Sequence, residues 1–332
     1  MLHNKDDFSL PCSPIKLSHR QSGTRKSDYL KQLHVFWKGH QYKTNNIDKI
    51  FSSVWLNDRD ILVGTKCNRL LLISNDKIIP IPTLFPTPDP NYINHTKNYC
   101  QGIHSIVMNS SKTLMGISGG KPYEIIIMRL PELIPMAVCL GHEDLVFQLE
   151  FIDDHILTSC SRDMKVGIWE LSSNYYSGLT PSGLPVFKPK SMMQGHSARV
   201  RDLTVDHFNS QVFTCSADHT CKIWDLNTGQ TVLSFQPQFC QEMICSSISD
   251  NLYTVGSQSH VTLFDNRVKD VVHTFDGKDE GWGIRSLIIN DDLITIGGGK
   301  GRISFYDITA RQYLPIQEKE YHVSGDGWFD YS

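Results

Sequence analysis

Short runs of apolar residues, separated by polar turns, dominate the chain from about residue 48 onward. Runs such as Ile61-Leu62-Val63 and Leu70-Leu71-Leu72-Ile73 have the length of buried β-strands and are too short for typical helices. These runs group into six units, at about residues 48–80, 102–138, 141–172, 195–236, 241–275 and 283–316. The regular succession of short strands predicts an all-β protein built from repeated sheets.

The chain before this region has a different pattern. Residues 1–26 are polar, with a basic pair at Arg25-Lys26, and predict a disordered tail. Ser27 is a suitable helix N-cap, and Leu30, Leu33 and Trp37 then recur at helical spacing. The pattern predicts a short amphipathic helical segment at 27–47, followed by the β domain at 48–332.

Two of the six units share a fixed spacing of polar and aromatic residues. The residues are Gly141-His142, Ser159, Asp163 and Trp169 in one unit, and Gly195-His196, Thr214, Asp218 and Trp224 in the other. In both, the hydroxyl residue lies four positions before the Asp, and the Trp lies six positions after it. This is the WD40 signature, in which each repeat forms one four-stranded blade of a β-propeller.

The spacing predicts a buried relay of hydrogen bonds inside each of these two blades. The Asp falls in the turn between the second and third strands, the Trp on the third strand, the hydroxyl on the second, and the His before the first. Each polar group can then satisfy the next, so we expect the relay to be structural, although His and Asp resemble catalytic residues. In the last two units Phe264 and Tyr306 take the Trp position, which weakens the relay there but keeps an aromatic ring in the core.

Composition and motifs exclude several classes of function. The chain has 332 residues and a net charge of −3, so bulk charge predicts no affinity for nucleic acid or membranes. Its nine Cys are scattered without paired Cys-x-x-Cys spacing, which predicts reduced thiols, no metal and no cofactor. Gly119-Gly120-Lys121 and Gly297–Gly301 lack the phosphate-loop pattern and are expected to form hairpin turns. With no catalytic motif, we expect a binding protein and not an enzyme.

Aligning the units places a group of cations on one rim of the predicted propeller. The aligned residues are His104, Phe147, Arg201 and Arg285 at the start of the first strand, with Arg199 beside them, and Lys66 and Arg162 just before the relay Asp position. No acidic residue shares these aligned positions. Clustered cations attract anions, and Arg can bind a carboxylate through two parallel hydrogen bonds. The rim therefore predicts a site for an anionic ligand.

Several segments beyond the generic repeats resemble one family. These segments are Phe51–Asn57, Gly64–Asn68, Gly102–His104, Val255–Val261, Gly283–Ser286, Phe305–Ile308 and Ala310–Tyr313. From about residue 27 to 329 the chain is similar to the damage-specific DNA-binding protein 1 and cullin-4-associated factor 12 family. Members of that family are WD40 substrate receptors of cullin-4 RING E3 ubiquitin ligases.

The resemblance implies a function for both parts of the chain. The helical segment, with Leu30, Leu33 and Trp37, would dock onto the ligase adaptor, damage-specific DNA-binding protein 1. The propeller mouth would recognise substrate proteins that end in two glutamates. The residues that match the family's basic pocket are Lys66, Arg162, Arg199, Arg201 and Arg285, with His104 as a lining residue. A receptor of this kind is expected in the cytoplasm and nucleus, with rim cations that are not paired with acids.

Two departures from the family pattern leave alternatives open. Family members continue beyond Gly325–Trp328 into a seventh blade, so we expect this chain, which stops at Ser332, to lack it. The Trp-Asp-x-Arg motif of many cullin-4 receptors is matched only loosely, at Phe264–Arg267, so docking would rest mainly on the helical segment. One alternative is a WD40 scaffold with no ligase role, its helix packed on its own blades and its rim neutralised by acids. The other is a truncated receptor that no longer binds substrate.

Overall fold

The computed structural model describes residues 47–75, 77–86, 101–239, 241–278, 283–298 and 302–314. Within these ranges the chain forms 26 strands and one short 3-10 helix, Ser173–Tyr175. The predicted tail at 1–26 and all but the last residue of the predicted helical segment at 27–47 lie outside the described residues. In the part of the chain that is described, no helix is long and apolar enough to cross a membrane.

The strands form six sheets in chain order, which are the six blades of a β-propeller and confirm the predicted fold. Blade one contains β1 (Ile50–Trp55), β2 (Asp60–Thr65), β3 (Leu70–Ser74) and β4 (Lys77–Ile81). Blade two contains β5 (Ile106–Met108), β6 (Leu114–Ser118), β7 (Ile125–Arg129) and β8 (Ile134–Cys139). Blade three contains β9 (Val146–Phe151), β10 (Ile156–Ser161) and β11 (Lys165–Glu170), then an insert with β12 (Tyr176–Leu179) and β13 (Pro185–Phe187), and finally β14 (Ser191–Gln194).

The remaining three blades each have four consecutive strands. Blade four contains β15 (Val200–Asp206), β16 (Gln211–Ser216), β17 (Cys221–Asp225) and β18 (Thr231–Phe235). Blade five contains β19 (Met243–Ser249), β20 (Leu252–Ser257), β21 (His260–Asp265) and β22 (Asp270–Asp276). Blade six contains β23 (Ile284–Asn290), β24 (Leu293–Gly298), β25 (Ile303–Asp307) and β26 (Gln312–Tyr313). The first strands of consecutive blades contact each other in order from β1 to β23.

Aromatic rings on the third strands fill the core of the later blades. Trp169, Trp224, Phe264 and Tyr306 occupy equivalent positions, and none of them is more than 3% exposed. The rings of Phe264 and Tyr306 therefore stay in the core, as the sequence predicts for blades five and six. Tyr306 lacks a relay partner and instead places its hydroxyl 2.7 Å from Nε2 of His273.

The segment 172–194, rich in Ser, Gly and Pro, forms additional strands. β12 and β13 make a hairpin, and β13 pairs in parallel with β8 through Val186 with Val138 and Phe187 with Cys139. Blade two therefore belongs to a six-stranded sheet, and its own outer strand, β8, is covered by β13. β14 then returns to blade three and supplies its fourth strand.

Side chains on the first strands connect neighbouring blades. In each case a side-chain oxygen on a first strand, or directly before it at Ser105, accepts a hydrogen bond from a backbone N–H on the first strand of the next blade. The pairs are Ser105 Oγ with Leu149 at 3.1 Å, Glu150 Oε2 with Val205 at 3.0 Å, Asp202 Oδ2 with Ser246 at 2.6 Å, and Ser247 Oγ with Ile289 at 3.2 Å. Because the inner edge of a blade has unpaired N–H groups, these bonds satisfy donors that would otherwise be buried without a partner.

Two of these connecting side chains are carboxyls with unusual titration. Burial raises the pKa of Glu150 and of Asp202 to about 7. In an unfolded chain both groups titrate near pH 4. The folded protein therefore binds more protons than the unfolded chain between about pH 4 and 7, so its stability falls as the pH rises through this range.

Replacing Glu150 by Gln is expected to make the protein more stable than wild type at about pH 8, by roughly 1–3 kcal/mol, and to reduce the pH dependence. The amide oxygen can still accept from Val205, but there is no longer a buried charge to form. Urea unfolding across this pH range measures the effect. Glu132→Gln removes an exposed carboxyl as the control. An unchanged dependence of stability on pH in Glu150→Gln would show that titration of Glu150 does not contribute to it.

Candidate functional site

The His–Asp pairs of blades three and four are fully engaged in hydrogen bonds within their own blades. In blade three, Nδ1 of His142 lies 2.8 Å from Oδ2 of Asp163, and Nε2 of His142 lies 2.7 Å from Oγ of Ser159. Nε1 of Trp169 donates to the same Oγ at 2.8 Å. Blade four repeats the arrangement: His196 lies 2.8 Å from Asp218 and 2.9 Å from the hydroxyl of Thr214. Trp224 donates to the same hydroxyl at 2.8 Å. Both imidazoles are buried, so these side chains cannot reach a substrate.

A β-bulge near the start of the first strand shapes the opening at the top of the propeller, which we call the mouth. In blades one, three, four, five and six, the pairing of the first and second strands skips one residue. The skipped residues are Phe51, Phe147, Arg201, Ile244 and Arg285. A bulge releases its residue from the ladder and re-aims its side chain. The sequence alignment identifies three of these five positions, and the bulge explains why they are equivalent.

Ring contacts join the mouth residues of the first four blades. The Phe51 ring lies 4.5 Å from the imidazole of His104, whose centroid is 5.4 Å from the Phe147 ring in an edge arrangement. The guanidinium of Arg201 lies over the Phe147 ring, 5.2 Å from its centroid. A cation over an aromatic face is attracted to the ring electrons. The mouth thus has a continuous wall that runs from an aromatic side to a cationic side.

His104 is a neutral part of this wall at physiological pH. Burial, together with the nearby charges of Arg201, Arg162 and Lys49, lowers its pKa to about 4. Its Nε2 lies 2.9 Å from the carbonyl oxygen of Gln101. Because a carbonyl oxygen only accepts, Nε2–H is the donor in this pair, and the other nitrogen of the neutral ring, Nδ1, can only accept. His104 can therefore pack against a ligand, but it adds no positive charge to the mouth.

Arg199 and Arg201 share one carboxylate, that of Glu242. Arg201 Nε donates to Oε1 at 2.6 Å, and Arg199 donates through Nε and Nη2 at 3.1 Å each. Burial opposes ionisation of Glu242, but the two arginines outweigh it and hold its pKa below the usual value. Two cations against one anion leave one positive charge at this point of the mouth.

Arg162 also has an acidic partner in the folded chain. Its Nε and Nη2 donate to the two carboxylate oxygens of Asp144, at 2.7 Å each. The expectation that the rim cations are not paired with acids is therefore wrong for Arg162, Arg199 and Arg201. The alignment does not include these acids, because Asp144 and Glu242 lie in the segments that precede the first strands of blades three and five.

Lys66 and Arg285 complete the predicted set and are both exposed. Neither takes part in an ion pair among the described residues. The backbone of Lys66 lies beside Gly102, at the aromatic side of the mouth, and Arg285 is the bulge residue of blade six. Lys66 therefore belongs to blade one and Arg285 to blade six, whereas Arg199 and Arg201 belong to blade four.

An open groove of about 570 Å³ crosses the top of blades three, four and five. Its lining residues are Arg162, Met164, Ala198, Arg199, Ala217, His219, Gln241, Glu242 and Gln258. The groove combines two of the predicted arginines with small, apolar and amide side chains. Arg162 and Arg199 thus supply positive charge to a groove whose other side chains are mostly uncharged.

Three features of the mouth are missing from the sequence prediction. Phe51 and Ile244 occupy bulge positions in blades one and five, where alignment of the relay motifs is weakest. Each is the second residue of its first strand, so both could be found from the sequence once the first and second strands of the blade are aligned. Glu242 contacts arginines more than 40 residues away in sequence, so no local pattern indicates it.

The described residues contain no group of three or more His, Cys, Asp or Glu side chains arranged to hold a metal ion. The cysteines among them are free thiols, and most are buried. The predicted adaptor-docking residues Leu30, Leu33 and Trp37 lie outside the described ranges. Their role stays a prediction.

Comparison with known proteins identifies one family over most of the chain. Residues 34–326 match the family described as the DDB1- and CUL4-associated factor 12 beta propeller. The chain is also 26% identical to the coronin-like protein of Saccharomyces cerevisiae over 47% of this chain and 25% of that protein. It is 25% identical to the ribosome biogenesis protein YTM1 of Debaryomyces hansenii over 58% of this chain and 48% of that protein. The chain thus spans at most about half the length of these curated relatives.

Proposed function

Because the chain belongs to the DDB1- and CUL4-associated factor 12 β-propeller family, we propose that it is a substrate receptor of a cullin-4 RING E3 ubiquitin ligase. In this role the propeller performs no chemistry. It holds a substrate protein, the predicted helical segment within 27–47 docks onto the adaptor DDB1, and the other ligase subunits transfer ubiquitin. The cytoplasm and the nucleus are the proposed sites of action.

We further propose that the substrates are proteins whose C-terminus ends in two glutamates. The observation that carries this proposal is the placement of Glu242, whose carboxylate is bound by Arg199 and Arg201 at the mouth. The same surface therefore has the geometry to bind a carboxylate. An end with two Glu side chains and a terminal carboxylate offers three negative charges to the cations at the mouth. Charge-assisted hydrogen bonds of this kind are roughly twice as strong as neutral ones.

The direct experiment is binding of a labelled peptide that ends in Glu-Glu to the purified chain. The comparison peptide carries one extra residue after the second Glu, which moves the terminal carboxylate. We expect binding of about micromolar affinity or tighter for the first peptide and its loss for the second. Equal binding of both peptides, or none by a folded sample, would contradict recognition of an acidic end.

Replacing Arg285 by Ala is expected to weaken binding of the Glu-Glu peptide about tenfold and to make binding less sensitive to salt. Arg285 is exposed, so its contribution is screened by ions more strongly than that of a buried pair. Arg129→Ala, which removes an exposed cation at the far end of β7, is the matched control. A similar loss in both variants would point to non-specific attraction by net charge.

The scaffold alternative is favoured by one observation, the pairing of Arg162 with Asp144 and of Arg199 and Arg201 with Glu242. In that case the arginines stabilise the mouth and bind no ligand. Co-purification with DDB1 distinguishes the receptor from the scaffold. A receptor is expected to retain DDB1, and the variant Leu33→Asp is expected to lose it. A scaffold without a ligase role would not retain DDB1.

A further inference from the structure

Glu242 differs from two other buried or half-buried acids of the top face, Asp163 and Asp144, in the groups that donate hydrogen bonds to its carboxylate. Asp163 and Asp144 accept hydrogen bonds from backbone N–H groups as well as from side chains. The hydrogen bonds of Glu242 among the described residues come only from Arg199 and Arg201. No part of the fold other than the mouth itself fixes this carboxylate in place.

We propose that Glu242 is an internal competitor, a carboxylate that occupies Arg199 and Arg201 in the free protein and that a ligand carboxylate displaces. This inference rests on the proposed function, since the competing ligand is the acidic end of a substrate. It adds a residue that sets the strength of binding at that site. The consequence is a threshold: a ligand binds only if its carboxylate interacts with the two arginines better than Glu242 does.

The surroundings of Glu242 allow the exchange. Its side chain is 19% exposed, and those of Arg199 and Arg201 are 41% and 28% exposed, so a ligand can reach all three. Glu242 also lines the groove that crosses blades three to five. An incoming carboxylate could form the same bonds to the same guanidinium groups, and the displaced Glu242 carboxylate would turn toward water.

Release requires only a side-chain rotation. Gln241 is anchored because its Oε1 accepts hydrogen bonds from Ser257 and from the backbone and hydroxyl of Ser259. On the other side, Met243 is 1% exposed and begins β19. With both neighbours fixed, the backbone at Glu242 stays in place and only the Glu242 side chain needs to move.

Arg201 keeps part of its binding capacity while Glu242 is bound. Glu242 uses only its Nε, and the Phe147 ring supports the face of its guanidinium. The Nη groups of Arg201 can thus make the first contact with a ligand before Glu242 leaves. Arg199, which gives Glu242 both Nε and Nη2, is released in the second step.

The decisive variant is Glu242→Gln, which keeps an oxygen that can accept from Arg201 and removes the negative charge. We expect it to bind the Glu-Glu peptide at least about tenfold more tightly than wild type, because a competitor lowers apparent affinity by the fraction of protein it occupies. Glu170→Gln removes the same charge from an exposed pair with Lys190, away from the mouth, and is expected to bind as wild type does. Equal or weaker binding by Glu242→Gln would overturn the proposal and make Glu242 a residue that positions the arginines.

A second measurement keeps this inference separate from recognition of an acidic end. Citrate carries several carboxylates, and we expect it to raise the melting temperature of Glu242→Gln at least about 2 °C more than that of wild type or Glu170→Gln. If no variant binds the peptide but citrate shows this difference, the competitor role stands and the proposed substrate class fails. If citrate affects all three proteins equally and no peptide binds, both fail.

Discussion

Replacing Arg201 by Ala is expected to weaken binding of a peptide that ends in Glu-Glu by roughly 10- to 100-fold. Arg201 is the bulge residue of blade four, lies over the Phe147 ring and donates to a carboxylate already present at the mouth. Its loss removes a charge-assisted bond worth about 1.5–3 kcal/mol. Fluorescence anisotropy of the labelled peptide at fixed salt measures the change.

Arg267→Ala provides the matched control for this expectation. Arg267 is also paired with a carboxylate, that of Asp265, but the pair lies at the turn after β21 and far along the blade from the mouth. Both variants lower the net charge equally, so a difference between them reports on position. If Arg201→Ala retained wild-type affinity, the cationic side of the mouth would not be where an acidic end binds.

Replacing Trp169 by Ala is expected to reduce the free energy of unfolding by about 3–5 kcal/mol, the range for large buried aromatic residues. The Trp169 ring is fully buried among apolar residues of blades two and three. It also packs against Gly141 and Gly167, where a side-chain carbon would lie only 3.2 and 2.9 Å from ring atoms. Urea unfolding followed by circular dichroism measures the loss.

Two further variants divide this loss into its parts. Trp169→Phe keeps most of the ring but removes the donor to Ser159, and is expected to cost about 1–2 kcal/mol. Trp55→Ala removes a Trp that is 56% exposed and is expected to cost less than about 1 kcal/mol. If Trp169→Ala cost no more than Trp55→Ala, the aromatic position of blade three would not organise the core.

The sequence predicts those parts of the protein whose signals are local. The relay residues lie within about 30 positions of one another in each blade, and their spacing alone indicates both the turn at Asp163 and the buried ring of Trp169. Five of the six blades follow for the same reason, since each is a meander of consecutive strands, whereas the fourth strand of blade three, β14, comes only after the β12–β13 insert. Fold class and blade order are thus accessible without any knowledge of distant contacts.

Distant contacts account for the features that the sequence misses. The β12–β13 hairpin forms because β13 finds its partner in β8 of the preceding blade, which no pattern within 172–194 indicates. Glu242 meets Arg201 only when blades four and five are side by side. The alignment can place cations at the mouth, but it cannot show which acids the ring brings beside them.

The β-bulges of the first strands allow the side chains at the mouth to vary without disturbing the pairing of the sheet. A residue within a ladder must satisfy its neighbours on both strands, so its replacement disturbs the sheet. The bulge residues Phe51, Phe147, Arg201, Ile244 and Arg285 are skipped by the pairing, while the residues on either side keep the register. Mutations at these positions can therefore accumulate during evolution with little loss of folding, and each one alters what the mouth can bind. A single propeller can in this way give rise to relatives whose mouths differ in chemistry.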